Sequence, residues 1–142
     1  MAYHLSIFTE NRPGKLKRIT KILADNKINI RAISLASAGE YGIVKLLVNK
    51  GEQAFGALKQ ENITVSKRRI LIILLPDSPG AMYDLLVVLS ERNINLEDCY
   101  GFVVESKKQA ALVIEAEKYP QAEGALLEKG YHLLTDQELD TI

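Results

Sequence analysis

Two short loops bring together the residues of this chain best suited to holding a ligand: Asn11-Arg12-Pro13-Gly14 and Asp77-Ser78-Pro79-Gly80. Each follows an apolar stretch and precedes one with helical spacing, so each reads as a strand entering a helix. The first N–H groups of such a helix have no internal acceptor and its dipole favours negative charge, so the chemistry on offer is backbone reception of a carboxylate. Proline at the first helical position fits because its missing N–H would have had no partner there, and glycine allows close approach. Asn29 and Asn95 lie just beyond the ends of the same helices and add a carboxamide, which donates to a carboxylate and accepts from an ammonium group. Either loop taken singly also reads as a plain helix start followed by a turn-forming Asn. The loops differ in charge: Asp77 is anionic where Asn11 is neutral, and Ser78 is a good N-cap where Arg12 is not. A carboxylate is therefore expected to prefer the first loop, and Asp77 to suit an ammonium group.

The loops belong to an internal repeat. Pro13-Gly14 and Ile28-Asn29 recur 66 positions later as Pro79-Gly80 and Ile94-Asn95, and Leu5, Ile7 and Leu23 meet Leu71, Ile73 and Leu89 at the same offset. Leu16, Ile19, Ile22 and Ile30 keep apolar partners in Met82, Leu85, Val88 and Leu96. In the first copy Leu5 and Ile7 alternate with polar neighbours as in a half-buried strand, and Leu16, Ile19, Ile22 and Leu23 form one helical stripe. Ile33 and Leu35 share a strand face, Ala38-Gly39-Glu40 turns the chain, and Val44, Leu46 and Val48 face the same way on the return. A helix over 52–60 and a strand from Ile63 and Val65 complete the copy. The second copy predicts strands at 70–75, 96–105, 109–115 and 131–134, with helices over 79–91 and 119–128. Thr135-Asp136-Gln137-Glu138 has capping-box spacing, which predicts a terminal helical turn.

The fold class is therefore α+β: two tandem ferredoxin-like βαββαβ domains with antiparallel sheets, residues 1–67 and 68–142, linked around Ser66-Lys67-Arg68-Arg69. Units of about 70 residues bury little surface alone, so pairing of the sheets edge to edge is expected, with the second strand of each copy as an edge needing cover.

Eighteen Lys and Arg balance eighteen Asp and Glu in 142 residues, which removes the long-range attraction used by dedicated binders of nucleic acid or anionic membrane. The longest apolar run, Ile70 to Leu75, is too short to span a bilayer, and Met1-Ala2-Tyr3-His4-Leu5 does not read as a basic leader before an apolar stretch, so neither secretion nor membrane insertion is expected. The single cysteine, Cys99, excludes an intrachain disulfide. A reducing cytoplasm is the expected location. His4, His132 and Cys99 show no spacing for nucleophilic catalysis, and neither a phosphate loop nor a metal cluster is visible, so no catalytic residue, metal or cofactor is assigned. An RNA-binding module of the same topology would need stacking aromatics and a basic surface. Aromatic content is 6%, and 67–69 is the one concentrated basic run.

Glu10-Asn11-Arg12-Pro13-Gly14 with Asn29 resembles the ACT domain family, in particular the serine-sensing regulatory domain of bacterial phosphoglycerate dehydrogenases. Asp77-Ser78-Pro79-Gly80 with Asn95 is similar to the more general form of that signature. The resemblance implies a tandem, non-catalytic sensor of an amino acid or similar metabolite, associating edge to edge as a homodimer and acting through oligomerisation or a metabolic enzyme, as a small regulatory subunit would. It implies that Asn11 and Asn29 hold the ligand, with Asp77 and Asn95 equivalent. Thr9 stands where the serine sensors place a histidine.

Overall fold

The computed structural model describes residues 2–141. They form two compact units, Tyr3–Arg68 and a second comprising Ala2 with the residues from Arg69 onward. The first contains β1 (Tyr3–Glu10), α1 (Lys15–Asp25), β2 (Ile30–Ala38), β3 (Tyr41–Val48), α2 (Gly51–Gln60) and β4 (Thr64–Arg69). Its sheet order is β2-β3-β1-β4, with β3 antiparallel to both β1 and β2. The expected βαββαβ chain is thus present, and β2 is an edge strand.

Alternation in the strands sets what faces the helices. Register aligns Leu5, Leu46 and Ile33 in one cross-strand row and Ile7, Val44 and Leu35 in the next. Leu5, Ile7, Leu46 and Val44 are buried under Ile19 and Leu23 of α1 and Ala54 and Leu58 of α2. Each fully buried Leu or Ile contributes about 1.5–3 kcal/mol. The rows run out at the edge: Ile33 is 45% and Leu35 51% exposed although they lie on the core side of the sheet.

The second unit contains β5 (Leu71–Pro76), α3 (Ala81–Glu91), β6 (Leu96–Glu105), β7 (Gln109–Ala116), α4 (Tyr119–Glu128) and α5 (Asp136–Thr141). Its sheet order, β5-β7-β6, repeats β1-β3-β2 and again leaves the second strand of the copy at an edge. The strand expected over 131–134 is reduced to one antiparallel bridge, Ile73 to Leu133, with hydrogen bonds from Leu74 N–H to His132 O (3.0 Å) and from Leu134 N–H to Ile72 O (2.7 Å). The reason is local. Thr135 Oγ1 accepts from the Glu138 N–H (3.2 Å) and starts α5 as its spacing predicts, which turns the chain away from β5 after four residues.

The repeated Ile-Asn has a structural origin. Ile28 N–H reaches Leu23 O (2.9 Å) and Lys27 N–H reaches Ala24 O (3.0 Å), with Lys27 left-handed at φ 57°, the Schellman pattern of helix termination. In the second copy Ile94 and Asn93 make the same bonds to Leu89 and Ser90, with Asn93 at φ 55°. The isoleucine is the apolar residue that packs back on the last turn, and the asparagine after it opens the next strand.

A polar cluster ties β1, α2 and β4 together. Glu52 Oε1 accepts from Tyr3 Oη (2.9 Å) and from Lys67 Nζ (2.6 Å), and the same ammonium lies 5.2 Å from the Tyr3 ring centre and 4.8 Å from that of Phe55. The Lys67 hydrogen bond, then that of Tyr3, holds the Glu52 carboxyl below its usual range. A lowered pKa in the folded state means that this stabilisation is present above the unfolded carboxylate pKa and is lost as pH falls through the lower folded value. Thermal melts should therefore show Glu52→Gln less stable than the parent at pH 7, with the gap closing below about pH 4. A gap that persists at pH 3 would assign the loss to packing instead.

Candidate functional site

Both Pro-Gly loops adopt one geometry. Lys15 N–H bonds Arg12 O (3.2 Å) and Ala81 N–H bonds Ser78 O (3.3 Å), closing turns with proline second and glycine third. Gly14 sits at φ 90°, ψ −15° and Gly80 at φ 89°, ψ −13°, the type II turn in which the third position requires glycine. The glycines are the N-cap residues, without side-chain capping bonds. Two expectations are corrected. Pro13 and Pro79 precede the helices and shape the turn, so neither is a first helical residue. Ser78 lies two residues before its N-cap and does not cap α3, because the type II turn places Gly80 there.

The loops are pinned to the following hairpins by equivalent contacts. Asn11 N–H bonds Glu40 O (2.8 Å), and Asn11 Nδ2 donates to Ser37 Oγ (2.8 Å) and Gly39 O (3.3 Å). Asp77 N–H bonds Lys108 O (3.0 Å), and Asp77 Oδ2 accepts from Lys107 N–H (3.0 Å). The first hairpin has a two-residue turn with Gly39 at φ 69°; the second is longer and places Lys107 at φ 63°. Asn11 needs a donor because its hairpin offers oxygen atoms, whereas Asp77 meets an N–H. This pinning is what sequence reasoning missed, since Ser37 and Lys107 lie 26 and 30 residues away from their partners.

Arg12 points out as an exposed ion pair with Glu10 (2.7 Å). Pro13, Gly14, Ser78, Pro79 and Gly80 are all exposed. Asn29 and Asn95 are exposed too, but at the other end of each sheet: Asn29 O accepts from Asn49 N–H (3.1 Å) and Asn29 N–H donates to Asn49 Oδ1 (2.8 Å), while Asn95 O accepts from Glu117 N–H (3.2 Å). The 11-residue helix α1 separates Asn11 from Asn29. At about 1.5 Å per residue that is roughly 16 Å, so one unit by itself does not bring the two carboxamides onto one small ligand.

The titratable candidates occupy separate environments. His4 is buried, and His132 Nε2 lies 2.8 Å from Glu138 Oε2. Burial, with the Asp98 charge second, pushes the half-buried Cys99 thiol up, which disfavours the thiolate a nucleophile requires. Among the described residues no group of three or more His, Cys, Asp or Glu could hold a metal ion, and no helix is long and apolar enough to cross a membrane.

Comparison with known proteins agrees with the repeat. The crystal structure of protein BT0572 from Bacteroides thetaiotaomicron superposes with a TM-score of 0.92 at 31% identity, covering 99% of this chain and 96% of that one. The ligand-free regulatory subunit of aspartate kinase from Thermus thermophilus shares the fold with a TM-score of 0.65 at 17% identity, over 90% of this chain and 93% of its own. No curated protein matches the sequence. The family model described as the ACT domain pair matches residues 1–142, and with its two βαββ sheets, each pinned by a Pro-Gly loop, the chain belongs to that family.

Proposed function

We propose that the chain is a regulatory amino-acid sensor without catalytic activity of its own, and that its principal ligand site forms between two copies of the chain. The observation that carries this reading is the uncovered core side of β2, where Ile33 and Leu35 are 45% and 51% exposed on an edge strand. Asn11 is bonded to Ser37 near the end of β2, and Asn29 immediately precedes its start. Antiparallel pairing of β2 with its counterpart across a two-fold axis would therefore set Asn29 of one copy beside the Asn11 loop of the other. Such pairing would also cover Ile33 and Leu35. A zwitterion suits the result: loop N–H groups and the Asn29 carboxamide receive the carboxylate, and Asn11 Oδ1 accepts from the ammonium. The balanced charge of the chain fits a small zwitterionic ligand better than a polyanion.

Serine is one candidate, supported by Glu10–Gly14 with Asn29 and weakened by Thr9. Arg12, Pro13 and Gly14 shape the approach to the loop. Asp77, Ser78, Pro79, Gly80 and Asn95 would form the weaker counterpart, because the fixed charge of Asp77 opposes a carboxylate. Occupancy is passed on through the dimer, to a metabolic enzyme in the cytoplasm; the likeness in fold to a regulatory subunit of aspartate kinase supports that mode of output.

A thermal-shift screen against the amino acids tests the reading. Asn29→Ala is expected to weaken the stabilising ligand by about 1–3 kcal/mol while leaving the melting temperature of the free protein unchanged. Asn11→Ala is expected to weaken binding and also lower that temperature, because it releases the hairpin. Unchanged affinity in both variants, or turnover of the ligand, would overturn the proposal.

A further inference from the structure

A groove opens in the first unit beside the Pro-Gly loop, on the side away from β2. Its volume is about 300 Å³, and it runs between the end of β1, the first turns of α1 and the connection from α2 to β4. Phe8, Thr9, Lys15, Arg18, Asn62 and Thr64 line it. The Lys15 ammonium makes no ion pair or hydrogen bond with any described residue. Arg18 is held by one Nη2 bond to Glu61 O (2.8 Å), with the Glu61 carboxylate 3.8 Å away, and its remaining N–H groups are left for another acceptor. Glu10 also lines the groove, but its carboxylate is paired with Arg12 at 2.7 Å.

The second unit has a cavity at the corresponding strand ends, about 610 Å³, lined by Leu74, Leu75, Pro76, Tyr131 and His132, but no residue of α3 borders it. At the repeat offset Lys15 becomes Ala81 and Arg18 becomes Asp84. Two cations on one helix face are thus replaced by a methyl group and a carboxylate while the backbone turn is kept. A solvated helix face would explain one such difference. It does not explain both cations turned onto a cavity that also presents two threonine hydroxyls and a carboxamide.

We propose that this groove is a second ligand site, specific to the first unit, which binds a compact anion of the phosphate or dicarboxylate type. Lys15 and Arg18 attract it, and Asn62 and Thr64 donate to its remaining oxygens. Lys15 is unpaired and Arg18 is only partly neutralised by Glu61, so an anion with several oxygens fits the cavity, and a volume of about 300 Å³ lies at the lower limit for small-molecule sites. The site is distinct from the amino-acid reading above: Asn29 takes no part in it and it needs no second copy.

Amide NMR titration of the full chain with inorganic phosphate, and separately with succinate, at constant ionic strength tests the proposal. Saturable shifts are expected at residues 15–18 and 62–64 from one of the two anions, which identifies the class, with the amides at 81–84 unmoved. Lys15→Gln and Arg18→Gln should each weaken binding about tenfold or more, and Lys15→Arg should retain it. The spectra themselves report whether each variant is folded. Non-saturable shifts with both anions, shifts of equal size at 81–84, or undiminished binding in folded Lys15→Gln would overturn the site. Loss of amino-acid stabilisation in Asn29→Ala with phosphate or succinate binding intact would leave it standing.

Discussion

Leu46→Ala is expected to lower the unfolding free energy by about 2–5 kcal/mol. Leu46 is fully buried on the central strand β3, with Leu5 on one side and Ile33 on the other. Its neighbours are held by two paired strands and cannot close the cavity. Urea denaturation checks this through the midpoint at unchanged slope. A loss below 1 kcal/mol would mean that the helices settle onto the sheet and that its packing is softer than the burial implies.

Ile33→Asp combined with Leu35→Asp is expected to abolish self-association and to reduce amino-acid affinity at least about tenfold. Both side chains are half-exposed at the sheet edge, so the charges reach water in the separated chain and the fold tolerates them. In a β2 to β2 pair the same carboxylates would be buried beside their own copies, where like charges repel at low dielectric. Light scattering gives the mass and calorimetry the affinity. A dimer of unchanged strength in the double variant would remove β2 from the interface, and monomers that still bind tightly would place the site within one unit.

The repeat was legible because its two signals are backbone requirements. Pro13-Gly14 and Pro79-Gly80 mark a type II turn, and Ile28 and Ile94 close Schellman helix ends, so both survive where the surrounding apolar residues have drifted. The roles of single side chains were less legible. Ser78 looks like a cap from its type alone, but a turn of one residue decides whether it reaches the helix, and the glycine at φ 89° takes that place. Asp77 reads as a free charge, whereas the longer second hairpin brings the Lys107 N–H onto it. Neither contact follows from neighbouring residues. The groove charges were available in the sequence, as Lys15 and Arg18 against Ala81 and Asp84, but only the fold shows that they border a cavity.

The single bridge that replaces the last strand of the second unit also divides its stability. Residues 131–141 are held to β5 by the bridge at Ile73 and its two adjacent hydrogen bonds, with Leu134 and Leu139 buried behind them. Detaching that segment breaks few backbone bonds but uncovers Leu134 and Leu139, whereas opening β7 disrupts pairing along both of its sides. With fewer backbone bonds to break, the terminal segment is expected to open at a lower free energy than the domain as a whole. In that excursion the outer N–H and C=O groups of Ile72 and Leu74 become available to another strand, so a binding partner could select this chain by its fluctuations as well as by its resting surface.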